Sequence, residues 1–157
     1  MLVIRKATRE DVPVVLSLVR ELATYEREPD AVVATEADFL RDGFSESPLF
    51  QTHLALWNGE IIGFALWFVT YSTWVGRGSL YLEDLFVRPE FRGKGAGIGL
   101  MKTLAREAVD RGYKRFVWQV LDWNEPAILF YERIGAKVMR DWLTARIDGE
   151  ALARLAC

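Results

Sequence analysis

Phe86-Val87-Arg88-Pro89-Glu90-Phe91-Arg92-Gly93-Lys94-Gly95-Ala96-Gly97-Ile98-Gly99 is the stretch on which the reading of this chain turns. An apolar run, Leu80 to Val87, leads into a basic, glycine-dense loop, and the loop opens directly onto a segment of helical periodicity. Glycine lets backbone approach a ligand closely and turn its N–H groups inward. The first N–H groups of a helix lack partners and together carry about half a unit of positive charge. With Arg92 and Lys94 as counter-charges, these features make a receptor for a diphosphate. Two other phosphate loops do not fit. A P-loop ends in Gly-Lys-Ser/Thr, and Gly97-Ile98-Gly99-Leu100 does not. A dinucleotide fingerprint needs Gly-x-Gly-x-x-Gly on a first strand–helix unit, whereas Gly93, Gly95 and Gly97 are spaced otherwise and come late. What remains is Arg-x-x-Gly-x-Gly, here Arg92, Gly95 and Gly97, or else a glycine-rich helix start with no ligand.

Working outward, Val3 to Ala7 predicts a first strand. Thr8-Arg9-Glu10-Asp11 has the form of a capping box, and Val12, Val15, Val19 and Leu22 then keep helical spacing. A short helix is expected from Thr35 to Gly43. Thr52 to Trp57 and Ile61 to Tyr71 predict strands joined at Asn58-Gly59, a strong hairpin signal, and the second is apolar enough to lie centrally. Ser72 to Gly78 reads as a turn and Leu80 to Val87 as the strand entering the loop. Beyond it, Gly97 to Arg111 predicts a helix stopped by Gly112, and Phe116 to Leu121 a strand. Asn124 should cap a helix that carries Pro126 in its first turn. Trp142 to Ile147 is expected to close the sheet, with a terminal helix from Glu150 to Leu155. Hairpins early and strand–helix alternation late predict an α/β fold: a mixed, partly antiparallel central sheet flanked by helices, in one domain over residues 1–157.

Composition narrows the function classes. The 157 residues are 51% hydrophobic, enough for a core without disulfides or metals, and the net charge of −2 argues against a nucleic-acid partner. Cys157 is the only cysteine and His53 the only histidine, so a disulfide framework, a multi-His metal site and a Ser-His-Asp triad are excluded within the chain. No metal is expected, and His53 is expected at a sheet surface. Met1-Leu2-Val3-Ile4 turns polar at Arg5, too soon for a signal peptide. The longest apolar stretch, Ile61 to Val69, falls far short of the ~20 residues that span a bilayer. A cytoplasmic location with no membrane partner is the expectation.

Arg92-x-x-Gly95-x-Gly97 resembles the coenzyme A pyrophosphate signature of the GNAT-type N-acetyltransferases. Ile4-Arg5-x-Ala7-Thr8, Glu21-Leu22-Ala23-x-Tyr25-Glu26, Asp42-Gly43-Phe44, Leu80 to Val87, Trp123-Asn124-Glu125-Pro126 and Phe130-Tyr131-x-x-x-Gly135-Ala136 extend the likeness in order along nearly the whole chain. Together they resemble the diamine acetyltransferase branch, which holds spermidine/spermine and thialysine acetyltransferases. Tyr71-Ser72-Thr73-Trp74-x-Gly76-Arg77 and Val120-Leu121-Asp122-Trp123-Asn124 are nearer to the thialysine type. Polyamine enzymes of the branch tend to carry an acid in the turn that holds Ser72.

The resemblance implies direct acetyl transfer from acetyl-CoA, the cosubstrate, to a primary amine of a small molecule: a thialysine- or lysine-like amino acid, or a diamine or polyamine. An ammonium ion has no lone pair and an alkylamine keeps its proton up to about pH 10, so such an enzyme needs a base. By resemblance Tyr131 is the acid that protonates the coenzyme A sulfur. Glu83 is the amine contact and base, directly or through water. Leu85, Phe86 and Val87 line the pantetheine arm. Arg92, Gly93, Lys94, Gly95, Ala96, Gly97 and Ile98 hold the pyrophosphate, and Asn124, Pro126 and Ala127 touch the far side of the arm. Tyr25, Glu26, Glu83 and Trp74 are the substrate contacts, and a homodimer is expected. The residues alone also admit a core tyrosine at 131, a surface salt bridge at Glu83, a polar helix end at Tyr25 and Glu26, and a core tryptophan at 74. Because successive strand residues face opposite ways, Glu83 and Asp84 are not expected to line one pocket together. Competing functions are a protein-amine acetyltransferase and a coenzyme A-binding module without catalysis.

Overall fold

Asn58 and Gly59 turn the chain through positive φ, 51° and 88°, as a tight hairpin requires. They join β2 (Gln51–Trp57) to β3 (Glu60–Ser72). In the computed structural model, which describes residues 1–157, this hairpin is the middle of a five-stranded sheet of order β1-β2-β3-β4-β5. β1 is Leu2–Lys6, β4 is Arg77–Val87 and β5 is Phe116–Trp118. The pairings β1–β2, β2–β3 and β3–β4 are antiparallel, and β4–β5 is parallel. The mixed, mostly antiparallel α/β architecture is the one that the hairpin and crossover signals predict. The chain divides into two compact units, Met1–Gln119 and Val120–Cys157. The sheet lies in the first.

Directly opposed residues of antiparallel strands share a face, so the register sorts the side chains. Leu54, Phe64, Leu66 and Phe86 gather on one face with Val15, Leu18 and Leu22 of α1 (Val12–Tyr25) to form a buried core. Phe39 of α2 (Glu36–Gly43) and Phe50 pack against it. The other face is covered by α3 (Ala96–Asp110), which buries Leu100, Met101 and Leu104. His53 lies under α3 and is 3% exposed, not at the sheet surface expected of it. Its alternation with Leu54 puts it on the face that α3 covers. Its Nδ1 accepts from the Trp67 indole N–H at 3.2 Å, and burial lowers its pKa, which keeps it neutral.

Two further expectations are corrected. The strand expected over Phe116 to Leu121 stops at Trp118, because its pairing with β4 covers only Leu80, Leu82 and the residue between them. The strand expected over Trp142 to Ile147 is absent: the second unit holds α4 (Glu125–Arg133) and α5 (Gly149–Leu155) but no strand. Alternation in sequence marks a segment that could pair, but a strand exists only where a neighbour completes its hydrogen bonds.

The first turn before α1 is tied down by charge. Asp11 receives both guanidinium arms of Arg5, at 2.7 and 2.9 Å, and the Thr8 N–H at 2.7 Å. Chiefly through the Arg5 bonds, its carboxyl is held down to about 2. The stabilisation is therefore complete above the ordinary aspartate value of 3.8 and is lost as pH falls toward about 2. Asp11→Asn is expected to lower the unfolding free energy near neutral pH by roughly 2 kcal/mol. Denaturant melts should show the gap to wild type narrowing below about pH 4.

Candidate active site

β4 changes character at Glu83. Trp67 faces Leu82 and Leu66 faces Asp84, so Glu83 has no partner on β3 and forms a β-bulge. On the other side, β5 accompanies β4 only as far as Leu82. From Glu83 to Val87 the strand therefore has a ladder on its β3 side and an open edge where β5 has ended. An open edge offers backbone donors and acceptors in a row, which suits an extended amide-bearing ligand. Leu85, Phe86 and Val87 all lie on it. Leu85 and Val87 are half-buried and Phe86 is in the core. The Val87 carbonyl, expected to meet a pantetheine arm, already accepts from Arg92 Nε at 3.1 Å.

The strand hands the chain to the glycine-rich loop through a clamp. Arg88 gives Nε and an NH2 arm to Glu21 of α1, at 3.0 and 2.9 Å, and its other arm to the Ile61 carbonyl at 3.2 Å. This pairing joins residues 67 apart, and no local pattern in the sequence announces it. Gly93 and Gly95 follow with φ of 78° and 84°, conformations that an L side chain resists. Helix α3 makes its first internal bond from Gly99 N–H to the Gly95 carbonyl, 2.9 Å. The amides from Gly93 to Ile98 donate to no acceptor in the chain. A Cβ placed on Gly93 or Gly95 would meet nothing within 4 Å, so the loop opens outward. Unengaged N–H groups at a helix start are what a diphosphate needs, and the loop fits coenzyme A. Arg92 and Lys94 are held beside them on aromatic rings: the Arg92 guanidinium is 4.8 Å from the Tyr25 ring centre, and Lys94 Nζ is 5.3 Å from Trp57 and 4.9 Å from Phe91.

Carboxylates gather beside the bulge. Glu83 is exposed, Asp84 is half-buried opposite Leu66 on the α1 face, and Glu26 follows the last turn of α1. The bulge breaks the alternation that would have sent Glu83 and Asp84 to opposite faces; the Glu83 charge acts on both Glu26 and Asp84, and the Glu26 charge acts on Asp84. Burial, then the charges of Glu83 and Glu26, push the Asp84 carboxyl up to about 7. Burial and then Glu83 raise Glu26 in the same way. None of the three side chains makes an ion pair or hydrogen bond within the chain. Asp84 is the residue that strand alternation alone misses, although its place inside an apolar run was a signal.

Tyr25 lies under Arg92, on the loop side. Trp74 is 83% exposed in the turn between β3 and β4, and the strand from Arg77 to Glu83 alone spans roughly 20 Å. The structure does not bring it to the carboxylates of its own chain. In the second unit, Asn124 caps α4 by accepting from the Ala127 N–H at 3.4 Å, with Pro126 in the first turn. Tyr131 is buried within α4, its ring 5.4 Å from that of Phe130.

A model of the Acetyltransferase (GNAT) family matches residues 15–136. The chain belongs to this family. Thialysine N-epsilon-acetyltransferase of Sus scrofa is 39% identical over 98% of this GNAT chain and 96% of its own length. Spermidine/spermine N(1)-acetyltransferase-like protein 1 of Homo sapiens is 35% identical over 98% of this chain but only 23% of its own. An integron cassette protein from the mobile metagenome of V. cholerae has the same fold, with a TM-score of 0.82 at 30% identity over 99% of this chain and 97% of that one. This GNAT protein is an N-acetyltransferase, and acetyl-CoA is its cosubstrate.

Because the Asp84 carboxyl is higher in the folded than in the unfolded chain, folded protein holds the extra proton between pH 3.8 and about 7, and stability falls as pH rises through that window. Asp84→Asn is accordingly expected to raise the thermal midpoint above wild type at about pH 8, with a smaller gain at about pH 4. Calorimetry at the two pH values measures both.

Proposed function

We propose that this acetyltransferase acts on the terminal primary amine of a small, lysine-like amino acid of the thialysine type. The observation that carries the reading is the set of unpaired carboxylates, Glu26, Glu83 and Asp84, beside the open edge of β4. An amine arrives at neutral pH as a cation, and desolvated negative charge attracts it. The relatives named thialysine N-epsilon-acetyltransferase support the same class. A polyamine is the second reading. Against it stands the turn after β3, where Ser72 Oγ accepts from Arg115 at 3.2 Å: a cation sits there in place of an acid.

Acetyl-CoA supplies the acetyl group on a thioester. The N–H groups from Gly93 to Ile98, with Arg92 and Lys94 beside them, hold its diphosphate, and the edge of β4 from Leu85 to Val87 aligns its pantetheine arm. Asn124, Pro126 and Ala127 are the further cofactor contacts that the family pattern implies. Glu83 and Glu26 receive the ammonium group, and Tyr131 gives its phenolic proton to the departing sulfur. Tyr25 serves this arrangement by bracing Arg92. No covalent link to the protein is needed, because positioning alone makes the transfer effectively intramolecular. The protein works as a cytoplasmic homodimer in this reading, and no helix is long and apolar enough to cross a membrane.

Thiol release from acetyl-CoA with a panel of amines tests the function. Turnover on lysine-like amino acids above that on spermidine is expected, while cofactor binding without turnover on any amine would establish the non-catalytic module instead. Tyr131→Phe should lower kcat at least about tenfold and leave acetyl-CoA affinity within about threefold of wild type. An unchanged rate removes Tyr131 from the chemistry.

A further inference from the structure

Resting on that functional reading, we infer that Asp84, rather than Glu83, takes the proton from the substrate's ammonium group, while Glu83 and Glu26 hold the amine in place. The bulge divides the labour. Glu83 is the inserted residue, outside the ladder and exposed to solvent, where a carboxylate can meet an arriving cation. Asp84 re-enters the ladder opposite Leu66, half-buried and fixed by the strand, at the start of the open edge.

The surroundings of Asp84 suit proton transfer. β3 brings only the apolar Leu66 and Ala65 to this part of the strand, α1 brings Glu26, and β4 itself brings Glu83 and Tyr81. Arg92, the cation just beyond the strand, is engaged with the Val87 carbonyl and the Tyr25 ring. No positive group stabilises the Asp84 carboxylate, and two neighbouring carboxylates oppose its charge. A base works best when its affinity for the proton matches the working pH, and a carboxyl pushed up to about 7 meets that condition.

An ammonium loses two protons in becoming an amide. Asp84 accepts the first, and the freed lone pair forms the C–N bond to the acetyl carbon. The C–S bond breaks with its electron pair on sulfur, and the second proton leaves nitrogen for water. Tyr131 protonates the sulfur and is reprotonated from water, and Asp84 releases its proton to solvent. One amine cation and one acetyl-CoA become one amide, one free coenzyme A and one proton.

The test is the acid limb of kcat/KM against pH, with a lysine-like amine, in wild type and in three nearly isosteric variants. Wild type should show a limb near pH 7. Glu83→Gln and Glu26→Gln should keep a limb but move it to lower pH by about half a unit or more, because each removes a like charge from beside Asp84. Asp84→Asn should lose the limb and about a hundredfold of the rate at neutral pH, with acetyl-CoA affinity unchanged. A limb abolished by Glu83→Gln, or retained in Asp84→Asn, overturns the assignment. Carbon-13 titration of the carboxyls reads the same group without turnover: the Asp84 signal should move near pH 7, and an ordinary aspartate midpoint also overturns it. A wild type that acetylates no amine sinks the functional reading and this role with it. Normal turnover with an unaltered Asp84→Asn profile sinks this role alone.

Discussion

Beyond Leu82, β4 has a hydrogen-bonded neighbour on one side only, and the rest of the site depends on that one-sided strand. A strand edge in a folded protein is a row of backbone groups in want of partners. Here the edge runs straight into the loop from Arg92 to Ile98, where the amides are again unengaged. The two features are consecutive in the chain, so a long molecule with amides at one end and phosphates at the other can be read along them in order. The Glu21–Arg88 clamp holds the junction, and the apolar core under Phe86 holds the strand.

The same departure from regular structure produces the electrostatics. One extra residue at position 83 ends the alternation and brings like charges together beside the C-terminal end of α1. Elsewhere the fold places opposite charges together, as at Arg5–Asp11, where the carboxyl is stabilised. At the bulge it does the reverse. Uncompensated charge is tolerated in a folded protein where a ligand of the other sign completes it, and in the proposed function the substrate's ammonium group is that ligand.

Much of this was legible in the sequence, because the signals were local. Asn58-Gly59 announced its hairpin, Asn124 and Pro126 their helix start, and Arg92 to Gly97 a glycine turn opening onto a helix, since each depends on the conformational habits of residues adjacent in the chain. What escaped was set by partners distant in sequence. His53 is buried because α3 lies over it, β5 is short because β4 departs from it, and the alternating run Trp142 to Ile147 forms no strand. The joint position of Glu83 and Asp84 depends on a register shift across from Leu66 and Trp67, which strict alternation within β4 hides.

Capture of the coenzyme A diphosphate depends most directly on the amides of Gly93 through Ile98. Residue-resolved amide hydrogen exchange with and without coenzyme A measures them. In the free protein these N–H groups should exchange rapidly, and with coenzyme A bound they should become protected together, by about tenfold or more. Protection that appears elsewhere while this loop continues to exchange freely would contradict the account.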